Sequence, residues 1–322
     1  MAGLGSLVRV GTTAAAPPVA GIRWSDADAI LRRIVPPAFP NRTFDVTAHG
    51  AHTDGAIDST AAFRAAIDAC HSAGGGRVVV PKGRFLTGPI VLRSRVNLHL
   101  ADGATIAFSR DLNAYLPVVL TRFESTELMN YSPFIYSLDE RDIAITGTGT
   151  LDGQADADHW WPWKATAGSA SGARARLSAM SERSVPVAER VFGDRGDLRP
   201  NFIQPYRCHN VLIEGVTIVN SPMWEINPVL CSNVTVRGVN IRSHGPNNDG
   251  CDPESCLDVL IERCTFDTGD DCIALKSGRN ADGRRLHTPV ENVIIRDCEM
   301  RDGHGGVTIG SEISGGARNI FV

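Results

Sequence analysis

From Arg77 onward, apolar and polar positions alternate in short runs: RVVVP, FLTGPIVL, VNLHLADGATIAF and DIAITGTGTLDG, each ended by Gly, Asn, Asp or Pro. A period of two between such breakers predicts half-buried strands. Two earlier stretches follow a helical period instead. Ser25 and Asp26 precede a short helical pattern that ends at Pro36-Pro37, and Asp58-Ser59-Thr60 caps AAFRAAIDACHSAGGG, which a Gly run stops after about four turns. No further helix is expected beyond that point.

The strand pattern repeats. CHNVLIEGVTI from Cys208, CSNVTVRGVNI from Cys231, CLDVLIERCTF from Cys256, VENVIIRDCEM from Val290 and a final ARNIFV align on Asn210, Asn233, Asp258, Asn292 and Asn319, in steps of 23, 25, 34 and 27 residues. A fainter copy lies at Asp142-Ile143. One alternating strand cannot bury its own apolar face, so successive copies must stack. A repeat of this length with no helix and with Asn and Gly in its turns predicts an all-β parallel β-helix. A β-propeller would need a longer period and hairpin connections. Between Asp142 and Asn210 lie 68 residues, nearly three coils' worth, in which residues 155–200 read as an insertion without a clear strand. Long insertions of this kind are usually functional. Trp160, Trp161 and Trp163 there would form either a sugar-stacking wall or an anchor onto the solenoid.

The cysteines test the register. Cys208, Cys231 and Cys256 fall two positions before it, and Cys264 and Cys298 fall six after. Cys272 falls at plus 14, and Cys251 joins it if SHGPNND carries a four-residue insertion. Such columns favour small, buried, reduced residues over a disulfide framework. Cys251 and Cys256, flanking a tight turn, are the best candidates for an exception, and no spacing resembles a zinc site.

Composition narrows the class. With 32 Gly and 18 Pro among 322 residues the chain turns often, and 43% hydrophobic residues can fill a sizeable core. No apolar run approaches the ~18 residues of a membrane span. A formal charge of -4 argues against a nucleic-acid-binding stripe or a basic membrane surface. Residues 1–21, small and Ala-Pro-rich, read as the remnant of an export signal or as a disordered N-terminus. Residues 22–322 are expected to form one β-helix domain.

The same counting applied to polar residues gives candidate chemistry. Asp270 lies 12 residues after Asp258, His304 lies 12 after Asn292, and Asp249 lies 16 after Asn233, or 12 once the four-residue insertion is removed. Equal offsets stack at about 4.8 Å per coil. Asp249, Asp270 and His304 are therefore expected in one column, with Asp271 beside Asp270. A lone Asp in a β-helix turn is usually a backbone cap. Three carboxylates on adjacent coils are costly unless something uses them. One coil of separation plus lateral offset suits the ~6.5 to 9.5 Å of an inverting glycosidase.

Asn247-Asn248-Asp249-Gly250, Gly269-Asp270-Asp271 and Gly303-His304-Gly305 resemble, in order, three signature elements of the polygalacturonase family of pectin-degrading glycoside hydrolases. The resemblance extends through FDVTAHGAHTDGAIDST, VVVPKGRFLTGPIVLRS, NYSPFIY, ITGTGTLDGQ and DDCIALKSG. It implies a right-handed parallel β-helix, hydrolysis with inversion without a metal or other cofactor, a secreted or periplasmic location, and a pectic polysaccharide or oligogalacturonide as partner. By the same resemblance Asp270 would be the general acid, Asp249 and Asp271 would activate water, His304 would support the acid and hold the sugar, and Asn247 would help position the site. Galacturonic acid carries a carboxylate, so the site needs a cation. Lys276, five residues after Asp271, is the local candidate, with an interior ion pair as its alternative. Arg279, Arg284 and Arg285 lie in the enlarged 34-residue coil as either groove or solvated residues.

Two departures stand out. The family's later Arg-x-Lys element does not occur after His304, so the chain reads as C-terminally incomplete, and Asn227 stands where bacterial relatives would carry His. A wall built by the insertion would favour exo-type action. The rival readings are a calcium-dependent pectate lyase and a non-catalytic polysaccharide-binding solenoid.

Overall fold

A computed structural model describes residues 21–169, 172–193 and 198–322. The expectation for residues 1–21 therefore lies outside the described residues, save Gly21. The chain forms a right-handed parallel β-helix with three faces. The first is a nine-stranded parallel sheet whose members run in chain order: Thr43–Asp45, Gly76–Val80, Val96–Leu100, Arg141–Gly147, His209–Glu214, Ser232–Arg237, Leu257–Glu262, Val290–Arg296 and Ala317–Phe321. An eight-stranded sheet from Asp54–Asp58 to Glu299–Asp302 makes the second face. The third is built from Ile90–Val91, Ile135–Leu138 and Ile203–Tyr206, then single bridges at Ile226 and Cys251, then Ile273–Leu275 and Val307–Ile309.

The repeat register is the observed one. Val211, Val234, Val259, Val293 and Ile320 pair in sequence along one row. The valines of that row are 0–2% exposed, and each such burial is worth roughly 1.5–3 kcal/mol. The register residues themselves explain the choice of Asn and Asp. Asp142, Asn210, Asn233, Asp258, Asn292 and Asn319 all sit at φ between 53° and 58°, a left-handed conformation that these two residue types tolerate best after Gly. Their side chains form a ladder, Asn210 Nδ2 donating to Asp142 Oδ1 at 2.7 Å and Asn319 Nδ2 to Asn292 Oδ1 at 2.8 Å. The ladder is interrupted between Asn233 and Asp258, and there the N-terminal segment intervenes. Helix α1 (Trp24–Arg33) lies across the later coils, with Arg33 on Asp258 and the Val35 carbonyl accepting from Asn233.

Several expectations change. Helix α2 (Thr60–Ser72) forms as expected and packs on the first coils, but three further helices occur. Arg141–Gly147 pairs directly with His209–Glu214, so the 68-residue interval is one coil with a large excursion, not three coils. That excursion carries α3 (Trp163–Ala167) and α4 (Ala173–Glu182), and the 34-residue coil carries α5 (Asn280–Leu286). An antiparallel hairpin, Val119–Phe123 with Thr126–Asn130, was also not anticipated. Its turn residues Glu124 and Ser125 have φ of 42° and 62°, the tight-turn geometry usually given to Asn-Gly. Hairpin, α3, α4 and α5 pack on one another beside the third face.

All eight cysteines are free thiols, including Cys251 and Cys256. Two of the expected columns form, Cys208–Cys231–Cys256 and Cys264–Cys298. The third does not, because Cys251 pairs with Ile273 rather than with Cys272. The insertion before Asp249 is therefore three residues, one fewer than Cys251 suggested.

Candidate active site

That one-residue correction rearranges the acids without separating them. Cys251 pairs with Ile273 and Ile273 with Val307, so Asp249 stacks with Asp271, and Asp270 stacks with His304. The His304 backbone N–H donates to the Asp270 carbonyl at 2.9 Å. All four occupy the turn between the second and third faces, on three successive coils. One oxygen from each of Asp249, Asp270 and Asp271 lies within 4.8 Å of the others. Glycine permits the approach. A Cβ on Gly305 would meet Asp271 Oδ1 at 2.9 Å, and one on Gly303, whose φ is 152°, would meet the Asp270 carbonyl at 2.8 Å.

The three carboxylates have different surroundings. Asp249 is 3% exposed, and its Oδ1 has no hydrogen-bond partner among the described residues. Burial, then the charge of Asp270, pushes its pKa up to about 8 against the opposing pull of Lys276. Asp270 is at the surface of the site, its Oδ1 3.1 Å from Nδ1 of His304, whose side chain is 71% exposed. Behind Asp249 lie two acids that sequence reasoning missed. Glu225 and Asp252 are fully buried with both carboxyl oxygens unpartnered among the described residues, and burial together with the Asp249 charge holds both pKa values well above the usual carboxylate range. Nothing in the local sequence distinguishes them from turn residues.

Lys276 lines the cavity, but its charge is committed. Its Nζ donates to Glu312 at 3.0 Å, lies 3.9 Å from Asp249 and sits over the Trp224 ring. Burial alone would lower its pKa; Asp252, Glu312 and Asp249 together raise it. The interior ion pair, weighed as the alternative, is thus the observed arrangement. Asn247 is held by two cations missed from sequence, its Oδ1 accepting from Lys164 Nζ at 2.5 Å and from Arg199 Nη2 at 2.8 Å. Arg199 also donates to the carbonyls of Pro222 and Pro246, and burial lowers its pKa to about 10. Arg279 reaches the cavity, whereas Arg285 pairs with Glu127 and Arg284 stays exposed near Glu182.

The cavity has a volume of about 180 Å³ and is walled by the excursion elements. The tryptophans do not form a stacking surface. Trp160 is buried against Tyr115, Phe134 and Trp163, and Trp161 donates to the Ser221 carbonyl, so they anchor the excursion. Asn227, the position expected as His, joins coils by accepting from Asn201 and Gln204 and donating to the Asp252 carbonyl. Chemically the arrangement offers three converging carboxylates, of which Asp249 has a raised pKa, in one small space that cations also line, with the His304 imidazole on the Asp270 carboxylate. The three aspartates could each offer one oxygen to a cation, with the Lys276 ammonium 3.9 Å from Asp249 competing for the same charge.

Comparison with known proteins follows the same direction. A model of the glycosyl hydrolases family 28 matches residues 190–321. A probable polygalacturonase from Vitis vinifera is 30% identical over 280 residues, 83% of this chain and 51% of that protein. An exo-poly-alpha-D-galacturonosidase from Dickeya chrysanthemi is 26% identical over 303 residues, 87% of this chain and 49% of that protein. The chain thus spans about half the length of the curated relatives it matches. Among solved structures, a hyperthermoactive exopolygalacturonase from Thermotoga maritima superposes with a TM-score of 0.88 at 51% identity, covering 92% of this chain and 68% of that one.

Proposed function

Because this chain belongs to glycosyl hydrolase family 28, we propose that it hydrolyses α-1,4-galacturonosyl linkages of pectin or its oligomers, acting from chain ends with inversion. The observation that carries this reading is the convergence of Asp249, Asp270 and Asp271 within 4.8 Å in a small cavity that Lys164, Arg174, Lys276 and Arg279 also line. In this reading the trio holds one proton, a property of the group rather than of one residue. Burial places it on Asp249 in the empty cavity. When substrate binds, the proton passes to Asp270, which lies at the accessible side next to His304 and protonates the leaving oxygen. Asp249 and Asp271 then take the proton of the attacking water. His304 orients Asp270, and Asn247, fixed by Arg199 and Lys164, positions the sugar.

The short oxygen spacing by itself would suit retention. Inversion is instead the outcome that the resemblance to the polygalacturonase family implies. The relatives named exo-poly-alpha-D-galacturonosidase and exopolygalacturonase, together with the wall of α3, α4, α5 and the hairpin, support terminal rather than internal action. Galacturonan as substrate implies an extracellular or periplasmic site of action. The test is incubation with polygalacturonate with and without a chelator. Hydrolysis yields reducing ends at the same rate in both; ultraviolet-absorbing unsaturated products that vanish with the chelator would instead identify a calcium-dependent lyase.

A further inference from the structure

The cavity is also lined by three side chains that the chemistry above does not use. Glu124, at the hairpin turn, accepts through Oε2 from Nε of Arg174 at 2.6 Å and from Nη1 of Arg279. Arg279 is held from the other side by Glu312 at 2.7 Å. Glu124 is 8% exposed, whereas the Arg174 side chain is 48% exposed. Only Nε of Arg174 is engaged among the described residues, so its terminal nitrogens remain available to a ligand.

Beyond these residues lies a second cavity of about 410 Å³, edged by Ser169, Ser178 and Asn280 and, on its near side, by the same Arg174 and Arg279. Two cavities that share both guanidinium groups, with one carboxylate tying those groups together, are separated by that bridge. The first cavity, about 180 Å³, is below the ~300 Å³ at which pockets for larger ligands begin, and suits one sugar unit. Asp249, Asp270 and Asp271 lie together with Lys276 close to Asp249, while Arg174 and Arg279 lie together with Glu124 and Glu312 between and beside them. Of these two arginines only Arg174 keeps free terminal nitrogens among the described residues. A uronate in this space is repelled by the acids and turns its carboxylate to the arginines, where Glu124 already makes the kind of bond that a substrate carboxylate would make.

We propose that the Glu124–Arg174–Arg279 bridge reads the carboxylate of the terminal uronic-acid unit and closes the cavity behind it, so that one unit leaves per cut. This rests on the galacturonan reading above. Opening the bridge would join the two cavities and admit a second unit.

The test compares the unmodified chain with Arg174→Ala and with Glu124→Gln, which keeps the side-chain shape. Early products from trigalacturonate and polygalacturonate are resolved by chromatography, and binding of D-galacturonate and D-galactose is measured by calorimetry. The unmodified chain should release monomer and prefer D-galacturonate. Arg174→Ala should lower that preference by about tenfold, the loss of one charge-assisted contact. Both variants should release dimer early. Monomer as the early product of both variants, or an unchanged preference in Arg174→Ala, overturns the proposal. So does early dimer from the unmodified chain, which would leave terminal action itself standing. Should the unmodified chain fail to hydrolyse either substrate, the galacturonan reading fails, and the calorimetric preference alone decides for or against the bridge.

Discussion

With Asp249 buried beside Glu225 and Asp252 while Asp270 and Asp271 line the open cavity, the roles of the acids can be separated by experiment. General acid catalysis contributes typically ~10² to 10⁴-fold, and a good leaving group removes the need for it. Asp270→Asn should therefore lose at least about 100-fold on galacturonan yet stay within about tenfold of the unmodified chain on a nitrophenyl galacturonide. Asp249→Asn should lose activity on both. Equal losses of Asp270→Asn on the two substrates would remove Asp270 from the acid role. The pH dependence follows from Asp249, whose pKa is raised to about 8. The trio of the free enzyme keeps its proton below that value and loses it above, so kcat/KM should fall as pH rises through about 8. Stability has the same sign. A carboxyl raised in the folded state contributes fully below its unfolded value of ~3.9, and that contribution is lost as pH rises through the folded value. Asp249→Asn should thus raise the unfolding free energy at pH 8 by on the order of 2 kcal/mol while abolishing turnover. Denaturant titration at pH 5 and pH 8 checks this, with the larger gain expected at pH 8.

At the scale of elements, the coil-to-coil register was legible because it is written redundantly, in apolar alternation and in the Asn and Asp ladder. Asn292 illustrates the constraint, at φ 57° with amide partners Asp258 below and Asn319 above. Asn292→Ala should lower stability by about 2 kcal/mol, from left-handed backbone cost and lost ladder bonds, and Asn292→Gly by less because the backbone term vanishes. Thermal melts that rank Ala above Gly would contradict this. The excursion elements were not legible. The Glu124-Ser125 turn lacks the Asn-Gly signal of a tight hairpin, and α4 has few of the cues that mark a helix, with a Gly before it and no side-chain cap. Both are stabilised by packing on each other, as Phe123, Leu128, Ala173 and Leu177 meet Trp224 in one cluster. Contacts so distant in sequence leave no periodic trace. The column of acids was read one residue out of register for a related reason. Cys251 aligns by residue type with Cys272 but pairs with Ile273, because small buried residues at neighbouring positions are interchangeable in such a core.

For the molecule as a whole, the solenoid supplies a stack on which the turn residues of successive coils converge, while the excursion elements add Glu124, Lys164, Arg174 and Arg279 to the wall of the cavity there. That division explains why the acids could be placed from the repeat, and why Lys164 and Arg174, which line the cavity, and Arg199, which holds Asn247, could not. They belong to the excursion, which has no repeat to align. It also ties mode of action to architecture, since an open groove would admit a polymer interior and a closed one admits its end. The most direct measurement is a time-resolved proton NMR record of trigalacturonate hydrolysis by this chain, which reports product length and anomer together. The account predicts monogalacturonate released first as the β-anomer, with the α-anomer growing in only by mutarotation. The α-anomer appearing first would contradict inversion, and unsaturated products would contradict hydrolysis itself.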